Sequence, residues 1–263
     1  MTRGPLIRPF NSHEDRARCV ELQELIWGAG YTDKLSAAVL IVAQKLGGVT
    51  SGAFDDDGRL LGFVIGMTGL RHGRLVHWSD MLAVHPDAAG RKLGEALKEH
   101  QRKHCETLGI ESIQWTYDPL VAKNAHLNLN RLGARVDEFV VSFYGDSTKS
   151  PLQGDMPTDR FIVDWAVDRS RAAAPLAELP PRLPLIVGPD ASEGELLDVA
   201  AVGVRIPRDI VQLVSADLET ARRWRFATRR AFLHYLTPAA GYLVRGFVAD
   251  ADGGTYLLER AAR

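Results

Sequence analysis

The stretch "SDMLAVHPDAAGRKLGEALKEHQ", residues 79–101, decides the reading of this chain. An apolar segment runs into Pro86, then through Ala88, Ala89, Gly90 and Gly94, and emerges as a sequence with helical spacing. Small residues at a strand-to-helix junction have two explanations. One is a tight turn that packs closely. The other is an anion laid against bare backbone, because the first amides of a helix lack intrahelical partners and its dipole is positive there. Arg91, Lys92 and Lys98 flank the turn and add positive charge, but the small residues alone leave the tight turn ahead. The stretch has neither a Walker lysine–serine pair nor GxGxxG.

Around it the chain reads as mixed α/β, not as regular βαβ alternation. Residues 5–10 read as a first strand and 13–26 as a helix with Ser12 as N-cap. Residues 33–46 read as a second helix, stopped at Gly47-Gly48. VTSGAF and LLGFVIGM form a hairpin around Asp55–Arg59. A polar loop, TGLRHGR, then leads to a strand near 76–84. The helix expected over 90–107 carries Leu93, Ala96, Leu97 and His100 on its apolar stripe, with Lys98, Glu99, Arg102 and Lys103 mostly elsewhere. Residues 110–116 form a strand, and Asp118-Pro119 reads as N-cap and N1 of a helix that closes at Gly133. Residues 136–144 and 160–167 are strands joined by a long polar loop. Residues 168–184, rich in Ala, Pro and charge, read as a linker between a domain over 1–167 and a small α/β domain over 185–263. That last part holds an amphipathic helix over 218–236 and a hairpin around Asp250–Gly254.

The totals narrow the function classes. The 263 residues are 46% hydrophobic and 25% charged, with a formal net charge of −1. Such a chain buries a sizeable core without staples, and nothing global attracts nucleic acid or membrane. The two cysteines, Cys19 and Cys105, have no CxxC spacing and read as reduced thiols. No apolar run reaches the ~18 residues of a membrane span, and MTRGPLIRPF lacks a signal-peptide core. A cytoplasmic protein is the expectation. His100 and His104 have i, i+4 metal-ligand spacing but no third ligand, so no metal is expected.

"MLAVHPDAAGRKLGEAL" resembles motif A of the GCN5-related N-acetyltransferases (GNAT), where a strand ending V-x-P enters a turn whose amides bind the pyrophosphate of acetyl-CoA. "NAHLNLNRLGA", residues 124–134, resembles that family's motif B. "WTYDPLVAKNAHLNLNRLGA" and "SPLQGDMPTDRFIVDW" look like a predicted-acetyltransferase subgroup with an extra C-terminal segment. The resemblance covers about residues 5–167. It implies a mostly antiparallel central sheet flanked by helices, plus the C-terminal α/β unit. It also implies acetyl-CoA as co-substrate, with the acyl group passed to an amine by direct attack on the thioester. Leu82, Ala83 and Val84 correspond to the strand that pairs with the pantetheine arm. Ala89, Gly90, Arg91, Lys92, Leu93 and Gly94 correspond to the pyrophosphate turn, and Asn124 to the motif B asparagine. Trp27 and Tyr31 fall where the fold walls the acceptor site, with the 145–159 loop opposite. Asp118 closes the strand adjacent to motif A, within reach of an acceptor amine, but as the residue before Pro119 it is better explained as a helix cap.

Three positions depart from the family. Ala89 and Lys92 stand where an Arg or Gln and a glycine are usual. Leu129 stands where a tyrosine often protonates the CoA thiolate, with Asn128 and Asn130 beside it, so the general acid is unassigned. Asp80 has the strand parity of Leu82 and Val84 and is the candidate base; His77 and His72 are the alternatives. The acceptor is a small-molecule or peptide amine, and a homodimer stands open. A catalytically silent acyl-CoA-binding regulatory protein is the alternative function, carried by Leu129.

Overall fold

Ser12 and Ser36 begin the first two helices. Each has extended backbone, and its side chain accepts a hydrogen bond from the amide three residues on, Asp15 and Val39. These helices are α1 (His13–Trp27) and α2 (Ala37–Lys45). The computed structural model describes residues 4–28, 30–145 and 155–261. By contact density these fall into two compact units: residues up to Trp115 together with Ala166–Ser170, and Thr116–Trp165 together with the chain from Arg171 onward.

The first unit is a mostly antiparallel sheet with helices on both faces. Its strands are β1 (Leu6–Pro9), β2 (Val49–Phe54), β3 (Leu60–Arg71), β4 (Arg74–Val84) and the start of β5 (Ser112–Tyr117). They lie side by side in chain order. β1 to β4 pair antiparallel, while β5 joins β4 in parallel. α1 and α2 cover one face, where Phe10, Cys19, Leu22 and Leu40 pack on Phe63, Ile65, Met81 and Ala83. The other face carries α3 (Leu93–Thr107), whose Leu93 and Leu97 pack on Val49, Ala53 and Val64. Full burial of each such side chain contributes about 1.5–3 kcal/mol.

Several expectations shift. The polar stretch 68–74 is no loop: β3 and β4 continue to Arg71 and Arg74 and close through His72-Gly73, both at positive φ. That geometry is the tight hairpin turn whose twist matches its strands. α3 starts at Leu93, not at 90, because Gly90 and Lys92 both hold left-handed backbone. On α3, Ala96 is exposed while Lys98 and Arg102 are buried, the reverse of the expected stripe.

The second unit contains a four-stranded sheet in the order β10-β11-β9-β8, made of β8 (Leu185–Val187), β9 (Ala201–Pro207), β10 (Tyr242–Asp250) and β11 (Gly253–Arg260). It also holds the hairpin pair β6 (Arg135–Val140) and β7 (Arg160–Ala166), so the strand expected over 136–144 ends earlier. The helices are a short α4 (Ala122–Ala125) running into a π-helical stretch (His126–Arg131), then α5 (Ile210–Ala216) and α6 (Leu218–Tyr235). Phe161, Phe232 and Tyr256 meet edge to face at the centre of this unit. Two arginines of α6 face carboxylates: Arg225 is buried against Asp118, and Arg229 makes two hydrogen bonds to buried Asp159. Asp118 caps no helix. Its carboxylate accepts from the Leu120 amide at 2.9 Å, and α4 begins after Val121 instead.

Candidate functional site

β4 is paired along its whole length on the β3 side, but on the other side only His77 and Trp78 pair with β5. From Ser79 to Val84, among the described residues, that edge of β4 is open. A strand edge with undirected amides and carbonyls is a template for an extended ligand. Leu82, Ala83 and Val84 lie on this open stretch.

The register of β4 slips at its centre. Ser79 stands opposite Gly66 and Met81 opposite Ile65, so Asp80 is the extra residue of a bulge. His77 and Ser79 bond to α3, and beyond the bulge it is Leu82 and Val84 that pack with the α3 side. The phase of alternation changes at Asp80, so strand parity does not place its side chain. Asp80 reaches solvent, yet the chain around it desolvates its carboxyl and raises the pKa.

The turn after β4 is built for clearance. Pro86–Ala88 form a single 3-10 turn with Ala88 buried, and Ala89, Gly90, Arg91 and Lys92 are all exposed. Gly90 has φ +78° with nothing within 4 Å of where a Cβ would stand, so its backbone conformation and the space over it are what glycine secures here. Lys92, at the position where the family has glycine, takes φ 55° and ψ 22° and opens α3 without a side-chain cap. The residues leading into α3, Ala89 to Lys92, are thus presented to solvent, and the basic Arg91 and Lys92 among them suit an anion. Leu93 is buried and Gly94 half-buried at its base. Lys98 does not flank the turn.

Instead Lys98 sits under the fork between β4 and β5, 2% exposed. Its Nζ donates to Ser79 Oγ at 2.8 Å and to Gln101 Oε1 at 3.3 Å, and lies 3.6 Å from the centre of the Trp115 ring. Gln101 Nε2 meets His77 Nε2 at 3.0 Å, and His77 Nδ1 meets Thr68 Oγ1 at 3.0 Å. Thr68 in turn donates to the Gly47 carbonyl at 3.0 Å. The chain is self-consistent with a neutral His77 protonated on Nδ1. Burial holds His77 at about 3, so it is no base at neutral pH. No carboxylate pairs with Lys98 among the described residues. A desolvated cation–π contact is worth about 2 kcal/mol, against several kcal/mol for burying an ion. The balance lowers the Lys98 pKa well below its ordinary value. The sequence signal was there: Lys98 lies three and seven residues before buried Gln101 and Cys105, on one helical face.

Trp27 and Tyr31 stack, with ring centres 5.6 Å apart, and Trp27 also leans on Phe63; both are half-buried against the α1/α2 core. The loop expected opposite them falls mainly outside the described residues. Asp118 and Asn124 belong to the second unit. Asp118 is held by Arg225, with Arg160 at 3.7 Å, and these cations lower its pKa. The Asn124 side chain is half-buried and makes no hydrogen bond among the described residues. Leu129 is a core residue, 5% exposed, in the π-helical stretch. Among the described residues no group of three His, Cys, Asp or Glu could hold a metal ion, and no helix is long and apolar enough to cross a membrane. His100 bonds Ser51 instead.

Residues 16–132 match the model of the acetyltransferase (GNAT) family. No curated protein matches the sequence. Among solved structures, a chain of the NatC complex bound to Gag peptide and CoA is similar over 62% of this chain and 99% of its own, at 15% identity and a TM-score of 0.50. NAA60 of Arabidopsis thaliana in complex with acetyl-CoA is similar over 62% and 99%, at 14% identity and a TM-score of 0.49. At 15% identity the likeness to the NatC chain is one of fold.

Proposed function

We propose, from the match of residues 16–132 to the acetyltransferase (GNAT) family, that the chain is an acyl-CoA-dependent N-acyltransferase, with acetyl-CoA as donor and a small-molecule or peptide amine as acceptor. The observation that carries this reading is the continuity of an open strand edge with an uncapped helix start. β4 is unpaired from Ser79 to Val84 on the β5 side, and it leads directly into the Ala89–Gly94 turn. The turn receives the diphosphate, and the backbone of Leu82, Ala83 and Val84 receives the pantetheine arm as an added strand.

The thioester carbonyl is then attacked directly by a neutral amine. Asp80, at the bulge, takes the amine proton, through water or by contact; its raised pKa makes it a stronger base than an ordinary carboxylate. Trp27 and Tyr31 supply apolar wall for the acceptor. The motif B resemblance assigns Asn124 to the pantetheine region of the donor. The Asp118 carboxylate is occupied by Arg225 and the Leu120 amide. The working compartment of this reading is the cytoplasm.

Isothermal titration with CoA and acetyl-CoA, alongside CoA-thiol release with a panel of amines, tests the proposal. Binding of both, with thiol release on at least one amine, is the expected result. A protein that takes up no CoA, and whose Gly90→Val variant behaves as the parent in every respect, has another function.

A further inference from the structure

A buried lysine with no carboxylate is costly, and Lys98 stands where β4 and β5 part. This is its position relative to the donor, if the reading above holds. The diphosphate lies at the Gly90–Gly94 turn, and the open edge runs back from Val84 to Ser79. Those five residue steps span about 17 Å, the reach of an extended pantetheine arm. The sulfur therefore comes to the Ser79–Asp80 bulge. Ser79 is 4% exposed, and its Oγ accepts from Lys98 Nζ at 2.8 Å. With that lone pair engaged, the Ser79 proton points elsewhere, and among the described residues no acceptor takes it.

We propose that Ser79 is the hydrogen-bond donor to the CoA sulfur as the thioester opens, with Lys98 as the positioning cation behind it. This rests on the acyl-CoA reading and fills the role left vacant by Leu129. The balance is as follows. The amine nitrogen bonds the carbonyl carbon and the C–S bond breaks, its electron pair leaving on sulfur. Sulfur takes the Ser79 proton, and Ser79 takes one from Lys98. The proton that the attacking amine gives up to Asp80 and water matches the one Lys98 regains. A thiol titrates near 8.5, and burial makes Lys98 a stronger acid than an ordinary lysine. Trp115 and Gln101 hold the lysine in place without neutralising it, as a carboxylate would.

The experiment needs no acceptor. CoA and desulfo-CoA are bound to the full chain from pH 7 to 9, and the thiolate absorbance of bound CoA is followed. The titratable groups facing this spot are His77 from β4 and His104 and Cys105 from α3, with Asp80 next in the chain. His77 stays neutral and the Cys105 thiol is pushed up to about 12, and His104→Gln and Asp80→Asn variants account for the other two. In the parent protein the bound thiol titrates at least one unit below free CoA, so affinity relative to desulfo-CoA rises about tenfold with pH. Ser79→Ala and Lys98→Met abolish that rise, and Lys98→Arg restores most of it, while all three still bind desulfo-CoA. Should Lys98→Met fail to fold, Ser79→Ala decides alone. A bound thiol that titrates like free CoA in the parent, or an unchanged rise in Ser79→Ala, overturns the inference. A parent protein that binds neither ligand defeats the acyl-CoA reading itself.

Discussion

Gln101 Nε2 meets His77 Nε2 at 3.0 Å, tying α3 to β4 at a point where neither residue sees solvent. The contact settles what His77 does. An imidazole that accepts from Gln101 and donates to Thr68 has no room for a second ring proton.

Acid stability follows. Burial and the nearby Lys98 hold folded His77 at about 3, below the unfolded value near 6.5. Below 6.5 the unfolded chain binds the proton and the folded chain resists it, so this contribution is present above 6.5 and is lost as pH falls towards 3. The slope approaches about 1.4 kcal/mol per pH unit. Urea unfolding across that range shows it, and His77→Gln flattens the limb. An unchanged slope in the variant assigns the limb to other groups.

Gly66 exists for the same ring. A Cβ there meets His77 Nε2 at 2.2 Å and the Trp78 carbonyl at 2.7 Å, and the backbone contact cannot swing away. Gly66→Ala costs roughly 1–3 kcal/mol by overpacking, read as a lower urea midpoint with unchanged slope.

Lys92 carries the opposite kind of strain, in the backbone. Left-handed φ costs a side-chain-bearing residue about 1–2 kcal/mol, and only the extra entropy of glycine in the unfolded chain, about 0.5–1 kcal/mol, works against relieving it. Lys92→Gly therefore stabilises by up to about 1 kcal/mol. A lower melting temperature in Lys92→Gly contradicts the turn geometry.

These residues show what the sequence made legible. The strand–turn–helix order was readable because Pro86, Gly90 and Gly94 punctuate it. The first helix with its Ser12 cap and the hairpins at Asp55–Arg59 and Asp250–Gly254 were readable for the same local reason, while the Ser36 cap of α2 and the His72-Gly73 hairpin were not. Lys98 was misread because polarity was taken to mean exposure, and its partners Ser79 and Trp115 lie on strands 19 and 17 residues away. The phase change at Asp80 was hidden because a bulge is set by the pairing of β3 with β4, which alternation along one strand does not record. Asp118 looked like a cap since Pro119 follows it; its partner Arg225 is 107 residues downstream.

Removing that carboxylate leaves Arg225 and Arg160 buried without their counter-charge. Asp118→Ala costs about 3–5 kcal/mol. Because the arginines lower its pKa, the stabilisation is present above the ordinary carboxylate value and is lost as pH falls below it. Chemical denaturation at neutral pH checks the size. A neutral effect there frees Asp118 for the acceptor role that its sequence position first suggested.

Asp80 is the sharpest test of the proposed chemistry. Its carboxyl is raised by desolvation alone, with no cation to hold it down. As the proton acceptor it must be ionised, so kcat/KM falls on the acid side through a carboxylate pKa above the ordinary one. Asp80→Asn keeps the shape and removes the basicity. Turnover drops by roughly 10²–10⁴, the acid limb disappears from what remains, and CoA binds as before, because the diphosphate turn lies at the far end of the open edge. If Asp80→Asn matches the parent in rate and pH profile, the amine sheds its proton to solvent or to a group beyond β4.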